Sequence, residues 1–188
     1  ALGSQVVEAL RQAGIQVVAP THAEVDLTDA DALSAMLAHY KPTHIVNCAA
    51  QRRPDRCESE DEAVIALNVL LPKRLAAFGC PLVHISTDYV FNGANAPYNE
   101  EAPRRPLNAY GRQKAEAETL IEALPNVLIL RVPILFGPIQ DWSNLTPYWL
   151  NRHILDLGDW ILKSTKQKVK ELVNDRFSQI NNLEELGD

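Results

Sequence analysis

Two residues of the sequence, Tyr110 and Lys114, have the types and the spacing that proton transfer requires. They stand at the two ends of the segment Tyr110-Gly111-Arg112-Gln113-Lys114, so on a helix their side chains share one face. A lysine ammonium close to a tyrosine hydroxyl favours the phenolate and lowers the pKa of the tyrosine. A tyrosine tuned in this way can pass a proton to or from a substrate oxygen. The alternative is a surface lysine beside a half-buried tyrosine, because this spacing also arises by chance on many helices.

A pair of hydroxyl residues, Ser86 and Thr87, ends the apolar segment that precedes this helix. If that segment is a buried parallel strand, its carboxyl end is where ligands bind in an open sheet. A hydroxyl at this place can donate a hydrogen bond to a substrate carbonyl and can also contact the tyrosine. The alternative is a cap that closes a turn together with Asp88.

Small residues end an earlier apolar segment, which reads Ile45-Val46-Asn47-Cys48-Ala49-Ala50. Small side chains such as those of Ala49 and Ala50 allow a cofactor to lie against the backbone. A lysine placed like Lys114 can hold the ribose hydroxyls of a nicotinamide cofactor. Tight packing of a helix against the strand explains the alanines equally well.

Two arginines, Arg52 and Arg53, follow this segment directly. They are predicted to form a pair that faces a substrate or another anion at the mouth of the site. The alternative is a solvated charged loop beside Glu58 and Glu60.

The apolar periodicity of the chain predicts helices and strands in alternation, which is typical of an α/β fold with a parallel sheet. We therefore predict a Rossmann-type, doubly wound parallel sheet. The helices are predicted over a stripe from Val6 to Ala13, over 29–40 with Thr28 as N-cap, over 58–78 with a kink or split at Pro72, over 107–124 with Asn108 as N-cap, and over 155–167. The strands are predicted over 15–19, 43–50, 81–87, 126–133 and 169–173, with Val25 as a further very short strand and 88–106 as a long functional loop.

The composition narrows the function classes. The 188 residues are 46% hydrophobic and 22% charged, as in an ordinary globular domain, and the net charge of -6 disfavours nucleic acid and anionic membranes as partners. The three cysteines, with no C-x-x-C motif, indicate reduced thiols, and the histidines lack metal-ligand spacing. We expect a cytoplasmic protein without a bound metal.

The two ends of the sequence suggest a fragment of a longer domain. Ala1 to Ser4 lead straight into a helix without a preceding strand, and Leu183 to Asp188 resemble the start of a further helix. We therefore expect residues 1–188 to form one NAD(P)-binding domain that lacks its first strand and its C-terminal substrate region.

Four segments together resemble the extended short-chain dehydrogenase/reductases. They are Asn47 to Ala50, Ser86 to Phe91, Tyr110 to Lys114 and Leu130 to Gly137, in this order and at matching spacings. Within that family the chain is most similar to the group that contains dTDP-4-dehydrorhamnose reductase and the regulatory beta subunit of methionine adenosyltransferase. The resemblance is good from Ala1 to Gly137 and looser from Val169 to Asp188.

The resemblance implies a role for each matching residue. Thr87, Tyr110 and Lys114 would be the hydroxyl, acid/base and ribose-holding members of a catalytic triad, with Ser86 as a second candidate for the hydroxyl. The cofactor would lie against Gly3, Asp26, Leu27, Asn47, Ala49, Ala50, Pro133 and Ile134. Gly3 matches only the last glycine of the family's T-G-x-x-G-x-x-G loop. The segment Ala19-Pro20-Thr21-His22 lacks an acidic residue for the ribose 2′-hydroxyl, which favours NADP over NAD.

Two functions follow from the resemblance. The run from Arg52 to Asp55 resembles the A-x-R-R-P-D signature of the beta subunit, which implies a regulatory protein that binds a methionine adenosyltransferase catalytic subunit. The set Thr87, Tyr110 and Lys114 implies an NADPH-dependent reductase of a nucleotide-linked 4-keto sugar. Ile180 and Asn181 stand where the family usually has Pro-Thr, and a degenerate relative with neither activity is a third possibility.

Overall fold

The computed structural model describes residues 2–59, 61–94 and 96–133, all of which belong to the compact unit Ala1–Pro133. Isoleucine 134, which the sequence places beside the cofactor, and the elements predicted over 155–167 and 169–173 lie outside these residues. Within the described part of the chain, no helix is both long enough and apolar enough to cross a membrane.

The centre of the fold is a parallel sheet with strands β1 (Ile45–Asn47), β2 (Leu82–Thr87) and β3 (Val127–Val132) in the order β1-β2-β3. Asn47 pairs with His84 across β1 and β2, and Thr87 pairs with Val132 across β2 and β3. Helices connect the strands, as parallel pairing demands. The predicted Rossmann-like parallel sheet with helices is therefore confirmed.

In the described part of the chain, six α-helices accompany the sheet. Their bounds are α1 Leu2–Gln12, α2 Ala30–Tyr40, α3 Pro54–Cys57, α4 Glu62–Ile65, α5 Leu71–Ala76 and α6 Ala109–Ile121. A π-helical turn, Ala66–Leu70, joins α4 to α5, and a 3-10 turn, Asp88–Val90, follows β2. The buried core lies between α2, α5, α6 and β2 and contains Leu33, Leu37, Leu71, Leu75, Ala76, Leu82 and Ile121.

Proline 72 divides the long helix that was predicted over 58–78. A proline inside a helix has no N–H for the ladder and its ring crowds the preceding turn. The wider π-helical turn Ala66–Leu70 precedes the proline. Pro72 therefore lies in the first turn of α5, where a proline is tolerated. Glu58 and Ser59 lie outside the helix, which begins at Glu62 after its N-cap Asp61.

Helix α2 begins one residue later than the sequence predicted. Its N-cap is Asp29, whose carboxylate accepts hydrogen bonds from the backbone N–H groups of Asp31 and Ala32. The predicted cap, Thr28, instead donates its hydroxyl to Asp26 over 2.7 Å. A carboxylate is the better cap here, because a negative charge is stabilised at a helix N-terminus.

The predicted strand over 15–19 is wrong, and so is the very short strand at Val25. Residues 15–20 carry no strand pairing, and Ile15 and Val18 are 51% and 48% exposed. Strand β1 is also shorter than predicted, and its Val46 is 39% exposed. Among residues 2–133 as described, β1 has a partner only in β2, and a strand forms only where its backbone groups can pair.

Helix α6 follows the sequence closely. Asn108 is its N-cap, as predicted, and accepts a hydrogen bond of 2.8 Å from the Gly111 N–H. Gly111 itself lies directly on the backbone of Tyr89, so that an added Cβ would overlap the Tyr89 carbonyl oxygen and lie 3.0 Å from the Cβ of Pro106. This close approach brings the first turn of α6 against the end of β2.

We predict that Gly111→Ala lowers the free energy of unfolding by about 1–3 kcal/mol, because the backbone of Tyr89 must move to admit the methyl group. Chemical denaturation of the full-length protein measures this loss. Gly3→Ala is the matched control, since its new Cβ would meet the Cβ of Cys48 at an ordinary 3.4 Å. Equal stability of the two variants would contradict the packing role of Gly111.

Candidate functional site

Threonine 87 ends β2 at the carboxyl edge of the sheet, where it is buried. Its hydroxyl oxygen accepts a hydrogen bond of 3.2 Å from the Tyr89 N–H and so caps the 3-10 turn. The same hydroxyl lies 3.2 Å from a carboxylate oxygen of Asp88. The capping role that the sequence left open is therefore present.

Tyrosine 110 stands in the first turn of α6, half-buried, with its ring edge-to-face against Tyr89 at 6.0 Å between centroids. The neighbouring Thr87 side chain acts to lower the pKa of Tyr110, but burial is the larger effect and raises this pKa. Negative charge at Cys57 and Asp88 would raise it further. The net direction is upward, so the lowered pKa predicted from the neighbouring lysine is wrong for this structure.

Lysine 114 explains that difference, because its side chain is directed toward β2. It is only 1% exposed, its Nζ donates to the Ile85 carbonyl over 2.8 Å, and Nζ lies 2.9 Å from Nε2 of His84. Burial lowers the pKa of Lys114 to about 8, against the opposing effects of Glu118 and Cys48.

Behind Lys114 lies a buried imidazole, that of His84. Burial first and the Lys114 charge second lower the pKa of His84 to about 3, so this ring stays neutral at neutral pH. Its Nδ1 lies 3.1 Å from Nδ2 of Asn47, and Oδ1 of Asn47 accepts a hydrogen bond of 3.0 Å from the Ala49 N–H. The amide of Asn47 thus holds the backbone at the end of β1.

Serine 86 belongs to a different set of contacts from Thr87. Its hydroxyl donates to Glu118 over 2.5 Å. Glu118 is completely buried and also accepts hydrogen bonds from Arg131, at 2.7 Å, and from Arg104, at 3.1 Å. The sequence left Thr87 and Ser86 as candidates for the hydroxyl beside the tyrosine. In the structure Thr87 lies near Tyr110, whereas Ser86 binds Glu118.

Arginine 131, on β3, joins three parts of the site. Besides its contacts with Glu118, it donates to the Glu100 carbonyl over 2.8 Å, and its guanidinium carbon lies 5.2 Å from the centroid of the Phe91 ring. Burial raises the pKa of Glu118, but the hydrogen bonds from Arg131, Ser86 and Arg104 together outweigh it and lower this pKa. Glu118 is therefore an ionised, structural carboxylate.

The predicted cofactor residues fall into two groups. Gly3 opens α1 beside Cys48, Ala49 and Ala50 are half-buried after β1, and Pro133 is exposed just after β3. Asp26 and Leu27 have other contacts, because Asp26 accepts hydrogen bonds from Thr28 and Leu27 packs against the core. The structure thus brings Gly3 and the end of β1 together.

Arginines 52 and 53 are exposed and line a cavity of about 530 Å³ together with Ala50, Gln51 and Arg56. Asp61 and Ser59 complete the polar side of this cavity. Their predicted neighbour Glu58 turns away toward α6, where it accepts the Ala109 N–H at 2.8 Å and contacts Arg112. In the described ranges, no group of acidic, histidine or cysteine side chains could hold a metal ion.

Sequence reasoning missed His84 and Glu118. A sequence signal existed for both: Glu118 continues the face of α6 that carries Tyr110 and Lys114, and His84 is a polar residue in an otherwise apolar strand. Two pairs, His84 with Lys114 and Ser86 with Glu118, join β2 to α6, since the alternate residues of a strand match every fourth residue of a helix.

Comparison with known proteins supports one family. The model of the RmlD substrate binding domain matches residues 1–148. Methionine adenosyltransferase 2 subunit beta of Rattus norvegicus is 40% identical over 132 residues, which are 68% of this chain and 40% of that protein. The probable low-salt glycan biosynthesis reductase Agl14 of Haloferax volcanii is 36% identical over 88% of this chain and 61% of that protein.

Among solved structures, dTDP-4-dehydrorhamnose reductase of Bacillus anthracis in complex with NADP is similar with a TM-score of 0.68 and 28% identity. The match covers 74% of this chain and 52% of that one. The chain therefore spans between two fifths and about three fifths of the length of these relatives.

We predict that Glu118→Gln lowers the free energy of unfolding at pH 7 by about 3–5 kcal/mol, because it leaves two half-buried arginines, Arg131 and Arg104, without the fully buried carboxylate that they share. The folded pKa of Glu118 lies below its ordinary value of 4.5, so this stabilisation is complete above that value and is lost as the pH falls below it. Denaturation at pH 7 and below pH 4 measures both effects.

Glu122→Gln is the matched control, because Glu122 binds the same Arg104 but its side chain is 45% exposed. Its expected cost is below about 1 kcal/mol. A Glu118→Gln variant as stable as this control at pH 7 would show that the buried carboxylate does not fix α6.

Proposed function

The chain belongs to the RmlD substrate binding domain family, and from this premise we propose that it is the dinucleotide-binding part of an NADP-binding protein related to the methionine adenosyltransferase beta subunit. The observation that carries the proposal is the site at the ends of β1 and β2, which contains Thr87, Tyr110 and the buried Lys114. A cavity lined by arginines begins at Ala50, after β1.

The residues of this site suit a phosphorylated dinucleotide. Ala49 and Ala50 present small side chains at the end of β1, and Ala50 lines the cavity of about 530 Å³. Arg52, Arg53 and Arg56 bring positive charge to the same cavity, and guanidinium groups suit phosphate oxygens. We propose that Gly3, Asn47, Ala49, Ala50 and Lys114 hold the cofactor, that Asp26, Leu27, Pro133 and Ile134 lie at its two ends, and that the arginines hold an anionic group of cofactor or substrate. We propose NADP rather than NAD as the cofactor, because the Bacillus anthracis relative was crystallised in complex with NADP.

A regulatory role agrees with the relatives named as beta subunits. The beta subunit of Rattus norvegicus is 40% identical to this chain over 132 residues. The run from Arg52 to Asp55, which contains the arginine pair of the cavity, resembles the beta-subunit signature. We therefore propose a methionine adenosyltransferase catalytic subunit as the partner. The acidic surface and the absence of basic patches with aromatic residues in the sequence favour a protein over a nucleic acid.

We predict that the full-length protein co-purifies with a methionine adenosyltransferase catalytic subunit and changes its kinetics for methionine or ATP. Pull-down with the tagged catalytic subunit, followed by steady-state assay of S-adenosylmethionine formation, measures both effects. Tyr110→Phe should leave them intact, because binding of a partner needs no proton from Tyr110. Neither association nor a kinetic change with the wild-type protein would refute the regulatory proposal.

A second candidate is an NADPH-dependent reductase of a nucleotide-linked 4-keto sugar such as dTDP-4-dehydrorhamnose. The interaction between the side chains of Thr87 and Tyr110 favours it, since it brings two hydroxyls together at the carboxyl edge of the sheet. The raised pKa of Tyr110 keeps its proton in place at neutral pH, so Tyr110 can donate that proton to a ketone oxygen. Bound NADPH would supply the hydride. Thr87 would orient the tyrosine and the ketone.

We predict that Tyr110→Phe lowers the rate of NADPH oxidation with dTDP-4-dehydrorhamnose by about 10²–10⁴-fold, because the general acid is lost. Loss of absorbance at the NADPH band measures the rate. Tyr40→Phe is the matched control, and its kcat should stay close to that of the wild type, since Tyr40 is 51% exposed at the end of α2. An unchanged rate in Tyr110→Phe would remove this mechanism.

A further inference from the structure

The buried chain Asn47–His84–Lys114 contains more donors than a neutral imidazole can satisfy. Nδ2 of Asn47 lies 3.1 Å from Nδ1 of His84, and Nζ of Lys114 lies 2.9 Å from Nε2. A neutral imidazole carries one N–H and one lone pair, so it accepts one hydrogen bond only. An amide NH₂ on one side and an ammonium on the other therefore compete for the same ring.

The positions of the atoms agree with one arrangement of protons. Oδ1 of Asn47 accepts the Ala49 N–H, which leaves only its NH₂ group to face His84. Nδ1 must then be the acceptor, and the proton of the ring is on Nε2, directed at Nζ of Lys114. In this arrangement Lys114 is a neutral amine, whose lone pair accepts from Nε2–H while one of its hydrogens is donated to the Ile85 carbonyl.

Protonation of Lys114 requires the opposite arrangement of hydrogen bonds. The ammonium has no lone pair, so it must donate to Nε2, and the ring proton must be on Nδ1. The amide of Asn47 must then turn so that its oxygen faces Nδ1–H, and this rotation moves the oxygen away from the Ala49 N–H. The charge of Lys114 is thereby linked to the backbone that follows β1.

We propose that His84 is a positioning residue that couples the charge of Lys114 to the Asn47–Ala49 hydrogen bond through its tautomer. The inference concerns the protein without ligand, so it stands or fails separately from the function proposed above. A cofactor that binds the lysine ammonium would, in addition, release Ala49 and Ala50 from the arrangement held by the neutral amine.

Lys114 is the group that changes charge in this cluster near neutral pH. The groups that face it are His84 from β2, Cys48 after β1 and Glu118 from α6 itself. Burial raises the pKa of Cys48 to about 11, and Glu118 keeps its charge because its pKa is lowered below 4.5. The pKa of His84 is about 3 and that of Lys114 is about 8, and burial raises that of Tyr110 above its usual 10.

Nitrogen-15 NMR of histidine-labelled, ligand-free, full-length protein tests the proposal between about pH 6 and pH 10. The His84 resonances are assigned by their loss in His84→Phe. We expect Nδ1–H at the acid end and Nε2–H at the alkaline end, with a midpoint shared by the Nζ titration of Lys114 and by the Ala49 amide shift. One tautomer on both sides of the Lys114 midpoint, or an imidazolium above pH 6, would overturn the proposal.

The variant Lys114→Met separates coupling from a merely structural role. Without the ammonium, the amide of Asn47 has no competitor, so the ring should remain Nε2–H and the Ala49 amide should lose its pH response. Replacement of a buried charge by an apolar chain of similar length is often tolerated. Lys73→Met, at an exposed lysine of α5, is the matched control and should keep the wild-type switch. A switch that persists in Lys114→Met would equally refute the coupling.

Discussion

The attachment of α6 to β2 is the interaction on which the site depends. Glu118 is ionised although it is fully buried, and this is possible only because two guanidinium groups and a serine hydroxyl surround it. One turn earlier, Lys114 makes the second attachment through His84 and the Ile85 carbonyl. The helix can neither slide nor rotate without breaking one of these buried polar contacts, so Tyr110 is held at the strand end.

Two separate polar systems thus meet on one helix. The Glu118 system is saturated with counter-charges and keeps a constant charge near neutral pH, which suits a fixed anchor. The His84 system has fewer hydrogen-bond acceptors than donors, so its ring can exist in either of two tautomers. This suits Lys114, whose Nζ must exchange a hydrogen-bond partner within the protein for one on a bound ligand. A regulatory NADP-binding protein and a reductase would both need the first system, whereas the reductase also needs the proton of Tyr110.

The sequence predicted correctly those features that depend on interactions between neighbouring residues. The Asn108 cap, the common face of Tyr110 and Lys114, and the strand that ends at Thr87 all follow from a few neighbouring residues. The failures are non-local. The segment 15–19 has a strand-like composition but finds no partner among the described residues, and the direction of the Tyr110 pKa depends on where Lys114 points. The spacing of residues along the chain does not reveal that Lys114 contacts His84, which lies thirty residues earlier.

Arginine 131 has a consequence for how relatives of this protein can diverge. The one side chain meets Phe91 at the beginning of the long loop after β2 and the Glu100 carbonyl further along it. Two places in this loop are therefore fastened to β3 by one side chain, and Tyr98 between them stacks on Phe91. Substitutions at the other positions of the loop would change the shape of this rim while the contacts of Arg131 with Glu118 beneath it stay in place.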